Sequence, residues 1–461
     1  MLVYSPTIGP RLRYVLQFLG ETLQGKPLSF TTNAQEALRY DGVLINYSAT
    51  KLREIEIWIA PQGLLDETGI REVEIIVKNK ENGIPFFFET SGDYPFDIFS
   101  AIFYLLSRYE EYLPHEKDSY GRYAHTNSLA WREGFLHRPI VNKWINEFNS
   151  HINHRQAPNH LRGIHTSPDI HHRPSTIYHP PSTIPQLPSA LPFTFLPTYD
   201  IDIAFSYKHK GFWRNMVGGV AALFTLKWKS LGERVSVCLG KKRDPFDVFG
   251  WLNGLHERLG LKPYYFFLVA PKRGKYDKNI NPALPAMRQL VHDHAIRYPV
   301  GVHPSWRSGD EPAQLETEIR LLADAAGTEV QASRQHYIRI SFPTTYRQLL
   351  ASGIRFDFSM GYGSINGFRA SVALPFYWYD LEKEETTQLL VFPFCYMEAN
   401  SFFEQKQNAE EGLAEMRRYY DVVKNTGGLF CMIWHNSFLT ETAIWAEWRK
   451  GYEKFLVSLS K

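Results

Sequence analysis

From Leu191 onward, short apolar runs alternate with longer stretches whose apolar residues recur three and four positions apart. The runs are LPFTFLPTYDID at 191–202, KPYYFFLVA at 262–270, YPVGVHPSW at 298–306, IRISFPT at 338–344, LLVFPFCYM at 389–397 and GLFCMIWHNS at 428–437. Each has the length and composition of a buried strand. Between them lie DVFGWLNGLHERLG, AQLETEIRLLADAAG and AEEGLAEMRRYYDVVKNTG, whose spacing predicts amphipathic helices. Strand and helix in turn predict parallel strands with helices outside, an open sheet or a barrel of the α/β class. In such folds functional residues gather at the C-terminal ends of the strands.

Residues 1–152 read as a smaller mixed α/β domain. VEIIVKN and IPFFFET are expected as strands, and FDIFSAIFYLLSRYEEYL as an amphipathic helix. The charge-dense end, SRYEEYLPHEKDSYGRY, is expected to be a solvated helix end and loop. From 153 to 191 proline, serine and histidine replace apolar periodicity, which marks a Pro/His-rich linker whose histidines are linker residues rather than ligands. A second, larger unit then fills 192–461, interrupted at 207–243 by a basic insertion. That insertion holds nine lysines and arginines against Glu233, with Phe212, Trp213 and Trp228 among them. It is expected to pack as a helical excursion with a solvated face. The sharper reading is peripheral contact with an anionic membrane surface or a phosphate-bearing glycan carrier.

Composition narrows this little. A chain of 461 residues with a net charge of +3 is long enough for two domains and too weakly basic to imply nucleic acid. Cys238, Cys395 and Cys431 sit apart among apolar neighbours and are expected as buried free thiols. No run approaches the ~20 apolar residues of a spanning helix. The N-terminal stretch carries arginines and no small-residue cleavage site, so a cytoplasmic location is expected.

Three strand ends carry chemistry: TYDID at 198–202, VHPSWRS at 302–308 and IWHNS at 433–437. Alternation puts Asp200 and Asp202 on one face, where two carboxylates repel unless a cation or proton lies between them. Aspartate with histidine is a donor set for a divalent metal, zinc first, with manganese, cobalt or nickel also suited. Asp357, in FDFSMGYGSINGFRA, is a candidate to orient His435 or to pair with Arg369.

In these motifs the chain resembles the NodB-type polysaccharide deacetylases over about 192–461. The whole chain, with FDIFSAIFYLLSRYEEY and SRQHYIR, resembles a cytoplasmic branch of that superfamily from Bacteroidetes-type bacteria. The resemblance implies a distorted (β/α) barrel with a metal at its rim. It implies Asp200 as catalytic base, Asp202 and His303 as ligands and His435 as general acid. Arg334 or Arg339 would be the arginine that holds the base. One position departs: Arg307 stands where the family has a second histidine, and a guanidinium does not ligate. His336 is the better candidate for the third ligand.

These readings together imply metal-dependent removal of an N-acetyl or O-acetyl group from a saccharide or a carrier-linked glycan precursor. The rivals are a hydrolase cutting an imide or amidine on the same scaffold, a glycan- or carrier-binding protein without turnover, and a structural assembly partner.

Overall fold

The computed structural model describes residues 1–156, 176–177, 191–211, 215–216, 228–442 and 444–459. Most of the expected linker lies outside these residues, as does the central part of the basic insertion with Phe212, Trp213 and its VGGVAALFTL stretch. No helix among the described residues is long and apolar enough to cross a membrane.

The N-terminal region is a parallel sheet with helices. Strands β1 (Leu2–Tyr4), β2 (Ser29–Thr31), β3 (Leu44–Tyr47) and β4 (Ile57–Ile59) pair in the order β2-β1-β3-β4. VEIIVKN and IPFFFET contribute only a short antiparallel pair, β5 (Lys78–Asn79) and β6 (Pro85–Phe86). The expected helix forms over Ile98–Leu106, capped by the Asp97 carboxylate, which accepts from Ser100 N at 3.0 Å. It is not amphipathic in use: all nine residues are buried.

The charged segment after that helix is a correction. Arg108 turns the chain with φ of 54° and is buried with Glu110 and Glu111. Its guanidinium donates to both carboxylates at 2.8 Å, and Arg369, from the far half of the chain, donates to Glu111 Oε1 at 2.8 Å. The start of that stretch is therefore a buried ion network across the molecule, while 114–121 runs as the expected loop of exposed and half-buried residues. One apolar core cluster runs from Val3 to Leu456, so the two halves share a core.

The large sheet is built around β8 (Phe193–Ile201), which pairs at its start with β7 (Thr176–Ile177). On one side follow β9 (Tyr264–Phe267), β10 (Val300–Val302), β11 (Ala332–Ser333), β12 (Phe356–Asp357) and β14 (Glu385–Val391), all parallel, with β13 (Phe376–Asp380) antiparallel at the edge. On the other side lie β16 (Gly428–His435) and β15 (Tyr396–Met397), also parallel. Helices such as Phe249–Leu259, Pro312–Ala326 and Ala409–Thr426 link the strands.

One face of this sheet closes on its own small core. Leu196, Phe266, Ala332, Phe358, Leu390, Met397 and Ile433, drawn from strands across nearly the whole sheet, pack together there. The sheet therefore curls, although no ladder joins its two ends among the described residues. IRISFPT does not form a strand: the pairing segment is Ala332–Ser333, and the chain then turns sharply, with Tyr337 and Ile338 at φ of 58° and 55°. Cys395 and Cys431 are buried as expected, whereas Cys238, at the end of a surface helix, is exposed.

Candidate metal and acid–base centre

Parallel register carries the chemistry-bearing strand ends to one rim. His435 pairs across from Asp200 between β16 and β8. His303 N donates to Phe267 O as β10 ends, and Arg334 N donates to Val302 O as β11 ends. Just beyond β8, Asn279 clamps the loop that carries Asp202, bonding Ile201 O, Leu268 O and Ala204 N at 2.9 Å each.

Alternation places Thr198 and Asp200 on the same face of β8. Arg334 Nη1 donates to both, at 2.7 Å to Thr198 Oγ1 and 2.9 Å to Asp200 Oδ1. The guanidinium is buried over the Phe266 ring at 4.4 Å, and its Nε donates to Phe358 O at 3.0 Å. Asp200 is thereby held by one oxygen, while Oδ2 faces His303 Nε2 at 3.9 Å.

Asp202 faces three imidazoles. Oδ1 lies 3.1 Å from His303 Nε2, and Oδ2 lies 3.4 Å from His336 Nε2 and 3.6 Å from His435 Nε2. In each ring Nδ1 is engaged: His303 donates to Arg334 O at 2.5 Å, His336 to Asp277 Oδ1 at 3.1 Å, and His435 to Glu398 Oε1 at 2.7 Å. Carbonyls and carboxylates only accept, so Nδ1 must carry the proton and Nε2 is turned to the centre. Burial pushes the Asp202 carboxyl up, but the His336 and His435 charges and the close imidazole nitrogens of His303 and His336 outweigh it and hold it well below the usual range.

A divalent cation fits this arrangement. Asp202 Oδ1 is buried with no hydrogen-bond partner among the described residues. Donor atoms of Asp202, His303 and His336 lie within 4.8 Å of one another. Burial alone would lower the His336 pKa, yet the Asp202 and Asp277 carboxylates raise it to about 9. The negative potential that draws a proton there draws a metal ion equally. His336 also begins the strained turn, where two successive residues beyond glycine adopt left-handed φ at a cost of about 1–3 kcal/mol each.

The other expected residues separate clearly. Arg307, at the position where the resemblance has histidine, points outward, 55% exposed, and bonds Glu311 at 2.7 Å. Arg339 pairs with Asp310 at 2.7 Å rather than with Asp200. Asp357 neither orients His435 nor pairs with Arg369: it accepts from Ser333, Ser359 and Tyr346 and braces β11 against β12. Arg369 belongs to the Glu111 network, because its segment packs against the N-terminal region.

Two residues were missed. Glu398 is fully buried, accepts from both His435 N and Nδ1, and takes the orienting place expected of Asp357. Burial lowers the His435 pKa, but Glu398 and Asp202 outweigh it and raise it to about 10. Asp277 fixes His336 and accepts from Trp306 N at 2.9 Å. Glu398 follows LLVFPFCYM directly, so the acid-after-apolar-run signal that marks TYDID marks it too. Asp277 lies in a polar loop with no such signal.

A family model described as a family of unknown function (DUF7033) matches residues 1–157. No curated protein matches the chain. Among solved structures, a protein from Mycobacterium smegmatis assigned to the polysaccharide deacetylases is 11% identical, covering 58% of this chain and 84% of its own, with a TM-score of 0.37. The Puue allantoinase is 11% identical over 58% of this chain and 83% of its own, at 0.37. A protein from Pseudomonas aeruginosa PAO1 assigned to the polysaccharide deacetylases is 12% identical over 58% and 84%, also at 0.37.

Proposed function

We propose that this chain is a metal-dependent hydrolase that removes an N-acetyl or O-acetyl group from a saccharide or glycan precursor. The observation that carries the reading is one carboxylate, Asp202, shared by three imidazoles, with an arginine-held aspartate on one side and a glutamate-held histidine on the other. The strand-end motifs and their resemblance to the NodB-type deacetylases support it independently of the side-chain geometry.

Asp202, His303 and His336 would hold the ion, and zinc heads the metals suited to one carboxylate and two imidazoles. When bound there, such an ion would supply Lewis-acid polarisation of the scissile carbonyl. Arg334 leaves Asp200 Oδ2 free to take a proton from the attacking water. His435, whose charge the buried Glu398 carboxylate stabilises from behind, gives its Nε2 proton to the departing amine or hydroxyl. Glu398 holds the ring in that orientation through Nδ1.

The test is acetate release from a panel of N- and O-acetylated saccharides by the zinc-loaded chain, with cyclic imides run alongside. Acetate release that disappears with chelator and returns with metal is the expected result. Stoichiometric zinc with no acetate from any saccharide sinks the reading, and imide opening in the same panel would move it to the rival carbon–nitrogen hydrolase.

A further inference from the structure

Beside the candidate centre four aromatic rings meet, and one of them comes from the N-terminal region. Tyr276 stacks on Trp306 with centroids 4.0 Å apart, and Tyr120 stacks on Tyr337 at 5.1 Å. The pairs meet edge to face, Tyr276 to Tyr337 at 5.3 Å and Trp306 to Tyr337 at 5.6 Å. All four residues are partly exposed. The cluster adjoins the donors directly: the Tyr337 ring lies 4.6 Å from that of His336, and Tyr276 precedes the Asp277 that holds His336.

Tyr120 is fixed in place. Asp118 accepts from Tyr120 N at 2.9 Å, from Arg122 N at 3.0 Å and from Arg122 Nε at 2.6 Å, which closes a tight turn. Gly121 makes that turn with φ of 72°. Buried Arg122 then donates to Tyr337 O at 2.8 Å, with its guanidinium 4.8 Å from the Tyr120 ring. A Cβ at Gly363 would fall 2.0 Å from Arg122 Nη1 and 2.9 Å from Tyr337 O, so the turn docks only because that position is glycine. On the far side Arg339, tied to Asp310, lies 4.7 Å from the Trp306 ring. Each arginine is spent on an aspartate and braces a ring.

We infer that Tyr120 is a specificity-determining residue of this centre. With Tyr276, Trp306 and Tyr337 it forms a wall on which a pyranose ring of the substrate stacks, so the N-terminal region builds part of the substrate site. The inference rests on the saccharide reading above. A pyranose offers an apolar C–H face and a rim of hydroxyls. Partly exposed tyrosines offer the matching pair, a flat apolar face with a polar tip.

The experiment uses the full chain loaded with zinc and three probes, N-acetylglucosamine, its dimer and its tetramer. Binding is measured by calorimetry and turnover by acetate release. Tyr120→Ala is expected to raise Kd and KM about three- to tenfold with kcat held within about twofold and zinc content unchanged, and Tyr120→Phe to restore most of the loss. Equal binding by wild type and Tyr120→Ala overturns the inference. So does loss of zinc and kcat together in Tyr120→Ala, which marks a structural role, and so does a wild type that binds none of the three. Saccharide binding without acetate release sinks the hydrolase reading and leaves the wall standing. Acetate release indifferent to Tyr120→Ala does the reverse.

Discussion

Two buried charged clusters in this molecule are built to opposite ends. In the Arg108–Glu110–Glu111–Arg369 cluster every charge has its counter-charge, and the pairs tie the N-terminal region to the segment around Gly361. At the strand rim one carboxylate faces three imidazoles and keeps a buried oxygen without a hydrogen bond among the described residues, while every imidazole is turned toward it by a partner behind. A completed cluster holds a fold together; the rim cluster instead leaves donor atoms of Asp202, His303 and His336 close enough together that they could hold a metal ion. Burial of charge alone does not distinguish the two clusters; the direction in which the unfilled valences point does.

That contrast breaks most sharply by removing one carboxylate from each cluster. Asp202→Asn is expected to abolish bound zinc and lower acetate release at least about a thousandfold, about 4 kcal/mol, with little change in thermal midpoint. Elemental analysis and initial rates check it, and retained zinc would contradict it. Glu111→Gln should do the opposite, lowering unfolding free energy by about 3–5 kcal/mol in urea titrations while zinc content stays at the wild-type level.

The same glutamate sets a pH signature. Burial would raise the Glu111 pKa from 4.5, but Arg369 and Arg108 outweigh burial and hold it at about 2. A carboxylate depressed in the folded state stabilises the fold above its unfolded pKa and loses that contribution as pH falls through the folded value. Wild-type stability should therefore fall relative to Glu111→Gln between about pH 4.5 and 2, by roughly 3 kcal/mol across the window. Parallel stability curves for the two proteins would rule this out.

Smaller effects sharpen the picture at the rim. Asp277→Asn removes the carboxylate behind His336 and should weaken zinc about 10- to 100-fold in chelator competition, leaving His303 and Asp202 in place. Arg307→Ala removes only an exposed pair with Glu311 and should change stability by less than about 0.5 kcal/mol, with zinc affinity and acetate release at wild-type levels. A large loss from Arg307→Ala would return that residue to the centre.

Most of the centre was visible as a pattern of polar residues just past apolar runs: Asp200, Asp202, His303 and His435 all end or follow such a run. Glu398 shows the same pattern and was passed over. His336 was harder, because its place depends on a turn through Tyr337 and Ile338 in left-handed conformations that nothing in IRISFPT announces. The buried start of the segment at 107–123 escapes a local reading for a related reason. Its charges look solvated locally, and the arginine that buries Glu111 lies 258 positions away in sequence.

The sequence by itself determined the α/β class, the strand ends that matter and the residue types able to bind a metal and move protons. Those follow from local apolar periodicity and side-chain chemistry, which are written in neighbouring positions. Only the tertiary structure decided which nitrogen of each histidine faces Asp202, that Glu398 rather than Asp357 stands behind His435, that Arg334 rather than Arg339 holds Asp200, and that Tyr120 reaches the rim from the other end of the chain. Each of those is a matter of strand register and long-range packing, and a contact between distant residues leaves no mark in the pattern around either one.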